Sequence, residues 1–360
     1  MHRQLKILHT EASLGWGGQE IRVLKELVAF QERGYSVALA APEESKIAKK
    51  AKKHNIKVFE IPIHQRSLKI TLNLRNIVQK HNIDIIHTHS SRDSWHGLFV
   101  KKLTNKILVR TRHLSTPVKR NFFSKILYSS ADYLITTGRH IKEYFITVFP
   151  EISSRIESIP TGIDIEKFCP NSDLPFFKKG EVVLGCVSVL RSWKGHRYLI
   201  PAFKELVQKV SDIKLIIVGD GPQRNNLINM VKELGLTEKV EFLGYQEDIP
   251  DILAVIDIFI HPSTGHEGVP QAVLQALAMK RPVIATNVGA IPEVIIHKQT
   301  GILIPPANPG EIKNAIFWMM KNPDLAKKLG ENGRKLVEEK YSLDKMVDKI
   351  EKIYQELIRS

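Results

Sequence analysis

The sequence predicts an α/β protein made of two doubly wound, Rossmann-like domains. Three observations support this prediction: short apolar runs alternate with amphipathic segments, the same alternation starts again near residue 182, and a stretch without clear periodicity lies between the two series. Strands that alternate with helices at this spacing form a parallel sheet with helices on both faces. With 360 residues, the chain is long enough for two separate cores.

The first series contains six predicted strands and the helices between them. The strands cover residues 5–10, 35–41, 57–63, 84–89, 107–113 and 133–138, with helices near 19–33, 46–53 and 71–81. The turn GWGGQE (15–20) follows the first strand and opens a helix. Glycines allow a ligand or another backbone to come close, and the N–H groups of a helix N-terminus attract anions. A ligand site and a tight structural turn are equally compatible with this motif.

The second series contains predicted strands at 182–190, 214–221, 240–245, 256–263, 281–288 and 301–306, and a helix at 196–210. Its first strand leads into VLRSWKGH (189–196), where Arg191 and Lys194 flank a strand-to-helix turn. Both cations can converge on one anion, and a phosphate suits this arrangement best. Each charge-assisted hydrogen bond of this kind contributes about 1.5–3 kcal/mol. The alternative is a pair of solvated cations.

Two further turns of this series follow strands. VGDGP (218–222) predicts a loop in which Gly219 and Gly221 relax the backbone, whereas HPSTGHEGVPQAVLQALAM (261–279) predicts a strand end, a loop and a helix from about Pro270. Glu267 in that loop can accept hydrogen bonds from hydroxyl groups. Gln275 lies in an apolar helix, so we expect it to be partly buried and to bond either the backbone or a ligand, since a buried amide without partners costs about 1–3 kcal/mol.

Histidines close two strands of the first series. His87 and His89 face the same side of their strand, but the sequence shows no third metal ligand near them at standard spacing. A structural or substrate-contacting role is therefore favoured over metal binding. His113 ends another strand, where catalytic groups of this architecture are often found. No Asp-x-Asp pair occurs in the chain, so a divalent metal that binds phosphates is not expected.

The net charge of +15 is concentrated in the first half of the chain. Residues 1–170 contain 28 Lys and Arg against 15 Asp and Glu, whereas residues 171–360 contain 25 against 23. A basic half can face nucleic acid, anionic lipid or an anionic substrate, or can simply be a soluble surface. Motifs of nucleic-acid-binding folds are absent from the sequence, so we expect no nucleic-acid partner.

The remaining composition is that of a soluble globular protein. Cys169 and Cys186 belong to no CxxC motif or Cys/His cluster, so we expect neither disulfides nor zinc, and a cytoplasmic location. The sequence has no apolar run of 18 residues, and its N-terminal residues become polar too early for us to expect a signal peptide. We therefore expect any contact with a membrane to be peripheral.

The ordered motifs resemble those of the retaining GT-B glycosyltransferases of the group 1 (family four) class. They are GGQE, DIIHTHS, RTRH, VLRSWKGH, VGDGP, HPSTGHEGVP, PVIATNVGAIPEVI and TGILIPP, and they extend over nearly the whole chain. The resemblance implies two Rossmann-like domains that face each other across a cleft. Residues 1–167 would form the acceptor domain, 168–180 a linker, 181–340 the nucleotide-sugar domain, and 341–360 a C-terminal helix that crosses back to the first domain.

The resemblance also implies roles for individual residues. Lys194 and Arg191 would hold the donor diphosphate, Glu267 would contact the sugar hydroxyls, and His113 would lie near the reacting sugar. Position 275 would meet the ribose, and this chain has Gln275 where the family usually has Glu. The other residues that would line the donor site are Gly17, Gly18, Gly219, Gly268 and Val269. The nucleotide sugar is then a substrate, and no cofactor or metal is expected.

These observations predict a metal-independent, retaining glycosyltransferase. It would move a sugar from a nucleotide-diphosphate sugar to a growing cell-surface glycan or a lipid-linked acceptor, such as lipopolysaccharide or capsule. The basic N-terminal half would face an anionic membrane surface. The alternatives are a GT-B nucleotide-sugar epimerase or hydrolase, a non-catalytic nucleotide-sugar binding protein, and a nucleic-acid binder suggested by charge alone.

Overall fold

The structure, a computed structural model, describes residues 4–113, 116–170, 180–265 and 267–359. The chain divides into two compact units, Met1–Gly162 with Asp344–Ser360, and Ile163–Leu343. Each unit contains one parallel β-sheet, which is the α/β class that the sequence predicts. Most of the predicted linker, residues 171–179, lies outside the described residues, so the predicted domain boundaries stay a prediction.

The first unit contains a seven-stranded sheet. Its strands are β1 (Lys6–Thr10), β2 (Ser36–Ala41), β3 (Lys57–Glu60), β4 (Ile85–Thr88), β5 (Ile107–Arg112), β6 (Tyr133–Thr136) and β7 (Ile156–Ser158). The helices that follow these strands are α1 (Gly18–Glu32), α2 (Lys46–Lys53), α3 (Leu68–Lys80), α4 (Ser91–Thr104), α5 (Phe122–Ser129) and α6 (Arg139–Val148). The strand order is β3-β2-β1-β4-β5-β6-β7. The sequence analysis did not predict β7, because a strand of three residues shows no pattern.

The second unit repeats this plan with six strands. They are β8 (Val182–Val187), β9 (Ile213–Val218), β10 (Val240–Gly244), β11 (Ile258–His261), β12 (Val283–Thr286) and β13 (Ile302–Ile304), in the order β10-β9-β8-β11-β12-β13. The helices are α7 (His196–Val207), α8 (Arg224–Glu233), α9 (Ile249–Val255), α10 (Gln271–Ala278), α11 (Pro309–Lys321) and α12 (Pro323–Leu336). Ile258 and Ile260 belong to one apolar cluster, whereas Phe259 belongs to another. Because neighbouring strand residues point to opposite faces, helices cover both faces of this sheet.

The last helix, α13 (Leu343–Arg359), packs on the first unit, as predicted. The hydroxyl of Tyr354 lies 2.6 Å from Nδ1 of His87, and both side chains are fully buried. Nearer the surface, the Arg33 guanidinium lies 2.8 Å from an Asp348 oxygen and 2.7 Å from a Glu351 oxygen. None of the helices among the described residues is both long enough and apolar enough to cross a membrane.

Several elements end earlier than the apolar runs that predict them. β11 stops at His261, immediately before Pro262, and β3 stops at Glu60, two residues before Pro62. Proline cannot donate a hydrogen bond to the ladder, so strands rarely continue through it. α10 begins at Gln271, with Pro270 extended at its N-cap rather than inside the first turn.

Two loops of the second unit touch each other at Gly195. Gly195 has a φ of +76°, and a Cβ built on it would lie 1.8 Å from the carbonyl oxygen of Pro262. Beside this point, the backbone N–H of Thr264 donates to the carbonyl of Trp193 over 2.7 Å. The loop after β8 is therefore fixed against the loop after β11.

Helix α7 begins with the buried His196. Its Nε2 lies 3.1 Å from Oγ of Ser188, and only 2% of the residue is exposed. Burial, followed by the nearby His261 and Lys194, lowers the pKa of His196 to about 3. The folded protein therefore keeps this imidazole neutral at pH values where the unfolded chain protonates it.

We expect Gly195→Ala to lower the free energy of unfolding by about 2–4 kcal/mol, because it adds an overlap with Pro262 to the strain of a positive φ. Gly34→Ala is a matched control, since Gly34 has a φ of +83° but no atom within 4 Å of its built Cβ. It should lose only about 1 kcal/mol. Urea unfolding followed by circular dichroism measures both. Equal losses would show that the close approach at Pro262 is unimportant.

We expect His196 to make the protein less stable in acid. Between pH 6.5 and about 3, the unfolded state binds a proton on this residue that the folded state does not, so the free energy of unfolding falls as the pH falls. From pH 7 to pH 5, wild type should lose about 2 kcal/mol more than His196→Asn in urea unfolding. The exposed His54 provides the control: His54→Asn should follow wild type. An unchanged pH dependence in His196→Asn would contradict the assignment.

Candidate active site

Both sheets reverse their strand order at one point, and polar side chains gather there. The reversal lies between β1 and β4 in the first unit and between β8 and β11 in the second. Ligands of doubly wound folds bind at the carboxyl ends of the strands beside this point.

In the second unit, Lys194 and Glu267 form an ion pair. Nζ of Lys194 lies 2.6 Å from Oε1 of Glu267, and the side chains are 18% and 7% exposed. Lys194 comes from the loop after β8 and Glu267 from the loop after β11, so the residues are 73 positions apart in sequence. The structure thus brings together two of the predicted site residues, at the carboxyl edge where the strand order reverses.

Two more side chains contact the same oxygen of Glu267. Oγ of Ser263 donates to Oε1 over 2.5 Å, and Nε2 of His261 lies 3.4 Å from it. Burial alone would raise the pKa of Glu267, but the Lys194 ammonium and the His261 hydrogen bond lower it well below its usual range. Glu267 is therefore an anion at neutral pH and a weak base. None of these three contacts uses Oε2.

The backbone around Glu267 is held by the loop after β12. The N–H of Ala290 donates to the carbonyl of Glu267 over 3.1 Å, and Oγ1 of Thr286 donates to the carbonyl of Ser263 over 2.5 Å. Gly289 has a φ of +55°, and its built Cβ would lie 2.2 Å from that Glu267 carbonyl. Ser263, Thr286 and Ala290 were not predicted as site residues from the sequence. Thr286 ends β12, and Ser263 and Ala290 lie in the loops after β11 and β12.

Arg191 occupies a different position from Lys194. It is exposed, and its guanidinium carbon lies 5.1 Å above the centre of the Trp193 ring. The described contacts do not bring Arg191 to the Glu267 carboxylate, so its phosphate-binding role stays a prediction. Gly219 has a φ of +127°, and its built Cβ would lie 2.0 Å from the carbonyl oxygen of Ser188. This contact explains a glycine there by packing between the loops after β8 and β9.

The remaining predicted donor-site residues surround the start of α10. Gly268 is partly buried, Val269 is 6% exposed and belongs to an apolar cluster, and Gln275 is partly buried, as expected for that amide. Leu274 and Ala276, beside Gln275, are fully buried. The ribose and phosphate contacts of these residues stay predictions.

In the first unit, the predicted glycine turn is hydrogen-bonded to the first turn of the helix that follows it. α1 begins at Gly18, and the N–H of Gly17 donates to Oε2 of Glu20 over 2.8 Å. The Gln19 amide donates to Oε2 of Glu11 over 2.7 Å. The N–H of Gly17 is therefore already bonded, which supports the structural interpretation of this turn for that group.

His113 ends a chain of hydrogen-bonded histidines. Its Nε2 lies 3.1 Å from Nδ1 of His89, and Nε2 of His89 lies 2.9 Å from Nδ1 of His9. Burial lowers the pKa values of His89 and His113 well below the usual range, so these rings are neutral at pH 7. His113 and His89 also line a cavity together with Arg110 and Arg112. The predicted catalytic role of His113 stays a prediction.

The structure supplies neighbours for His87 and His89 that the sequence analysis missed. His9 from β1 and Glu26 from α1 place their ligand atoms within 4.8 Å of those of the two histidines. However, Glu26 accepts a 2.6 Å hydrogen bond from the Arg22 guanidinium, and His87 is bonded to Tyr354. These bonds join part of the cluster in a hydrogen-bond network, while Oε2 of Glu26 and Nε2 of His9 have no hydrogen-bond partner among the described residues.

Comparisons with known proteins agree with this architecture. The family model described as glycosyl transferases group 1 matches residues 172–336, and the model described as glycosyltransferase family 4 matches residues 16–167. The N-acetyl-alpha-D-glucosaminyl L-malate synthase of Bacillus anthracis is 28% identical to the chain, with 84% of this chain and 82% of the relative covered. The UDP-Gal:alpha-D-GlcNAc-diphosphoundecaprenol alpha-1,3-galactosyltransferase of Escherichia coli is 25% identical, with 99% and 98% covered.

A solved glycosyltransferase from Rickettsia africae has the same fold. It superposes with a TM-score of 0.89 at 24% identity, and the match covers 100% of both chains. This likeness confirms the predicted GT-B fold of two parallel-sheet α/β domains. The two family models together cover most of the chain. The chain therefore belongs to the group 1 glycosyltransferases and is a glycosyltransferase.

Proposed function

We propose that this glycosyltransferase works with retention of configuration and without a metal ion, and that its acceptor is a growing cell-surface glycan or a lipid-linked sugar. Members of its family transfer sugars from nucleotide sugars. The observation that carries the proposal is the ion pair between Lys194 and Glu267 at the carboxyl edge of the second sheet.

The two partners of this ion pair are held to different degrees. Ser263, His261 and the Ala290 N–H fix Glu267 independently of Lys194. The Lys194 ammonium is the more exposed partner and has a flexible side chain. Lys194 can therefore turn to the diphosphate of the donor and stabilise its charge as it leaves, while Glu267 stays in place and accepts hydrogen bonds from the sugar hydroxyls.

The reaction needs no nucleophile from the protein. The bond between the anomeric carbon and the diphosphate oxygen breaks, the acceptor oxygen bonds that carbon on the same face, and the acceptor proton passes to the departing diphosphate. The low pKa of Glu267 supports this scheme, because a weakly basic carboxylate is a poor proton acceptor. The cation Lys194 provides the positive charge that a metal ion would otherwise supply to the diphosphate.

Two alternatives use the same donor site. An epimerase or hydrolase would convert the nucleotide sugar without adding it to a glycan, and a binding protein would release no nucleoside diphosphate. Only a glycosyltransferase attaches the sugar to a separate acceptor, so an acceptor assay distinguishes these two alternatives from transfer. The two relatives described above are named for L-malate and for a diphosphoundecaprenol-linked sugar, and the second name supports a lipid-linked acceptor here.

An exposed aromatic patch in the first unit supports work at a membrane surface. We define it as Phe99 and Leu103 on α4 and Phe122 and Phe123 at the start of α5, which are 49%, 52%, 72% and 67% exposed. Trp95 joins the two parts, with its ring 6.2 Å from Phe99 and 6.4 Å from Phe123. The exposed cations beside the patch in sequence are Lys102, Lys119, Arg120 and Lys125. Apolar rings among cations suit the interface of an anionic bilayer.

We expect Lys194→Ala and Glu267→Gln each to lower kcat by about 10²–10³, because each removes a charge that the transition state needs. Lys335 and Glu339 form an exposed ion pair at 3.9 Å, so Lys335→Ala and Glu339→Gln remove the same charges from the surface and serve as controls. Nucleoside diphosphate release and the anomeric NMR signal of the product measure rate and stereochemistry, with and without EDTA. Wild-type rates in the site variants, an inverted product, or loss of activity in EDTA would contradict the corresponding part of the proposal.

We expect Phe122→Ser/Phe123→Ser to weaken binding to vesicles with anionic lipid at least about tenfold, since each buried Phe contributes roughly 1.5–3 kcal/mol. Vesicle sedimentation at low and high salt measures this, and salt should also weaken the wild-type protein. The control Tyr245→Ser/Leu325→Ser removes two half-exposed apolar residues of the second unit, 52% and 49% exposed, and should bind as wild type. Equal binding by both variants would reject the patch as the membrane contact.

A further inference from the structure

Arg110 is a buried cation that lacks a sufficient set of partners. It is 2% exposed, and its Nε and Nη1 have no hydrogen-bond partner among the described residues. Its Nη2 lies 3.3 Å from the hydroxyl of Tyr128, and its guanidinium carbon lies 4.2 Å above the centre of the same ring. A buried charge is costly unless a counter-charge or hydrogen bonds compensate it. The position therefore calls for an anion.

Burial lowers the pKa of Arg110, and the nearby acid Asp93 offsets this effect only in part. Asp93 is fully buried at the start of α4, and its carboxylate accepts hydrogen bonds from Oγ1 of Thr10, the N–H groups of His89, Ser90 and Ser94, and Oγ of Ser90. These donors occupy both carboxylate oxygens. Asp93 thus caps the helix, and two nitrogens of Arg110, Nε and Nη1, have no acceptor among the described residues.

Arg110 opens into a cavity in which a second arginine is found. The cavity is lined by Arg110, Arg112, His113, His89, Gln19 and the serines 90 and 91. Arg110 and Arg112 are two residues apart on β5, so their side chains leave the same face of the sheet. Nε of Arg112 is also buried without a partner among the described residues, while its Nη2 donates to the backbone oxygen of Thr116 over 3.0 Å.

The neighbouring acid adds little negative charge to this cavity. Glu11 accepts a hydrogen bond from the Gln19 amide. Burial, together with the nearby Asp93, raises the pKa of Glu11 to about 8. At pH 7 this carboxyl is therefore mostly protonated. Two guanidinium groups with open donors face a cavity rich in hydroxyl and imidazole groups, which is the donor set that proteins use for oxyanions.

We propose that this cavity binds an anionic group of the acceptor, a phosphoryl or carboxylate group, through Arg110 and Arg112. The acceptor of this enzyme is then a charged molecule. The assignment of this anionic group to an acceptor depends on the proposed function, whereas the anion site itself does not. Its recognition would be by charge and by the fixed geometry of the two guanidinium groups, so phosphorylated and carboxylated acceptors are both within its chemistry.

The anion site is tested with inorganic phosphate as the probe. Titration calorimetry is performed on the full chain saturated with UDP, so that phosphate does not report on the donor site. We expect one phosphate per chain in wild type, at least about tenfold weaker binding in Arg112→Gln, and no measurable binding in Arg110→Gln. Arg120→Gln removes an equal charge from an exposed arginine elsewhere in this unit, and should bind within twofold of wild type. Equal binding by all four proteins would overturn the proposal.

Stability gives a second readout that separates ligand binding from a structural role. If Arg110 serves a ligand, phosphate-free Arg110→Gln should be at least as stable as wild type, and phosphate should raise the Tm of wild type but not of Arg110→Gln. A large loss of Tm in phosphate-free Arg110→Gln would assign Arg110 to the fold. In that case Arg112→Gln, at the half-buried position, still decides the proposal through the calorimetry.

The acceptor assay separates this inference from the proposed function. Soluble sugar phosphates, polyprenyl-diphosphate sugars in detergent, hydroxycarboxylic acids and neutral glycans are each offered with the donor. If the enzyme transfers sugar to charged acceptors only, and Arg112→Gln raises the KM for the acceptor about tenfold or more, both the anion site and the proposed function are supported. The preferred acceptor then shows whether the anionic group belongs to a soluble or a lipid-linked molecule. Equal transfer to neutral glycans by wild type and Arg112→Gln would overturn the charged acceptor but leave the function standing. Phosphate binding without transfer to any acceptor would overturn the proposed function but leave the anion site standing.

Discussion

The geometry of both units depends on where the strand order reverses. In a parallel sheet the carboxyl ends of all strands lie at one edge, and the loops from the first and fourth strands diverge at the reversal. In the second unit this places Lys194 and Glu267 against each other, although they are 73 residues apart. In the first unit it places β1 beside β4, and so His9 beside His89. The chemistry of the protein is therefore positioned by backbone connectivity before any side chain is considered.

At the carboxyl edges of the sheets, buried charges are compensated to different degrees in the two units. Glu267 receives a cation, a hydroxyl and an imidazole, so its charge is balanced within the second unit. Arg110 is buried with open donors, and the nearby Asp93 only partly offsets the effect of burying its charge. A site whose charge is compensated by protein groups can keep its geometry whether or not an uncharged hydroxyl is bound. A site whose charge is not fully compensated is stabilised most by a ligand of opposite charge.

The sequence predicts the two sheets well because their central strands are buried on both faces and appear as continuous apolar runs. It also predicts Lys194 and Glu267, since polar residues directly after such runs are placed at the carboxyl edge. It does not predict β7, whose three residues carry no periodicity. Nor does it find His9 and Glu26 near His87, because these contacts join different elements. The sequence does not single out Arg110 for a related reason. Within ILVRTRH it resembles any other strand residue, and only the fold shows that its Nε and Nη1 meet no acceptor among the described residues.

Helix α13 makes the first unit discontinuous in sequence. Its core includes Tyr354, bonded to His87 across 267 positions, while Ile163–Leu343 form a complete unit between the two parts. During synthesis the second unit can fold as soon as it leaves the ribosome, whereas the first must wait for the last residues of the chain. Until then, the apolar face that covers Phe30 and His87 is missing. The segment made first is thus the last to be completed, and the ribosome-bound chain exposes that uncovered surface throughout the synthesis of the second unit.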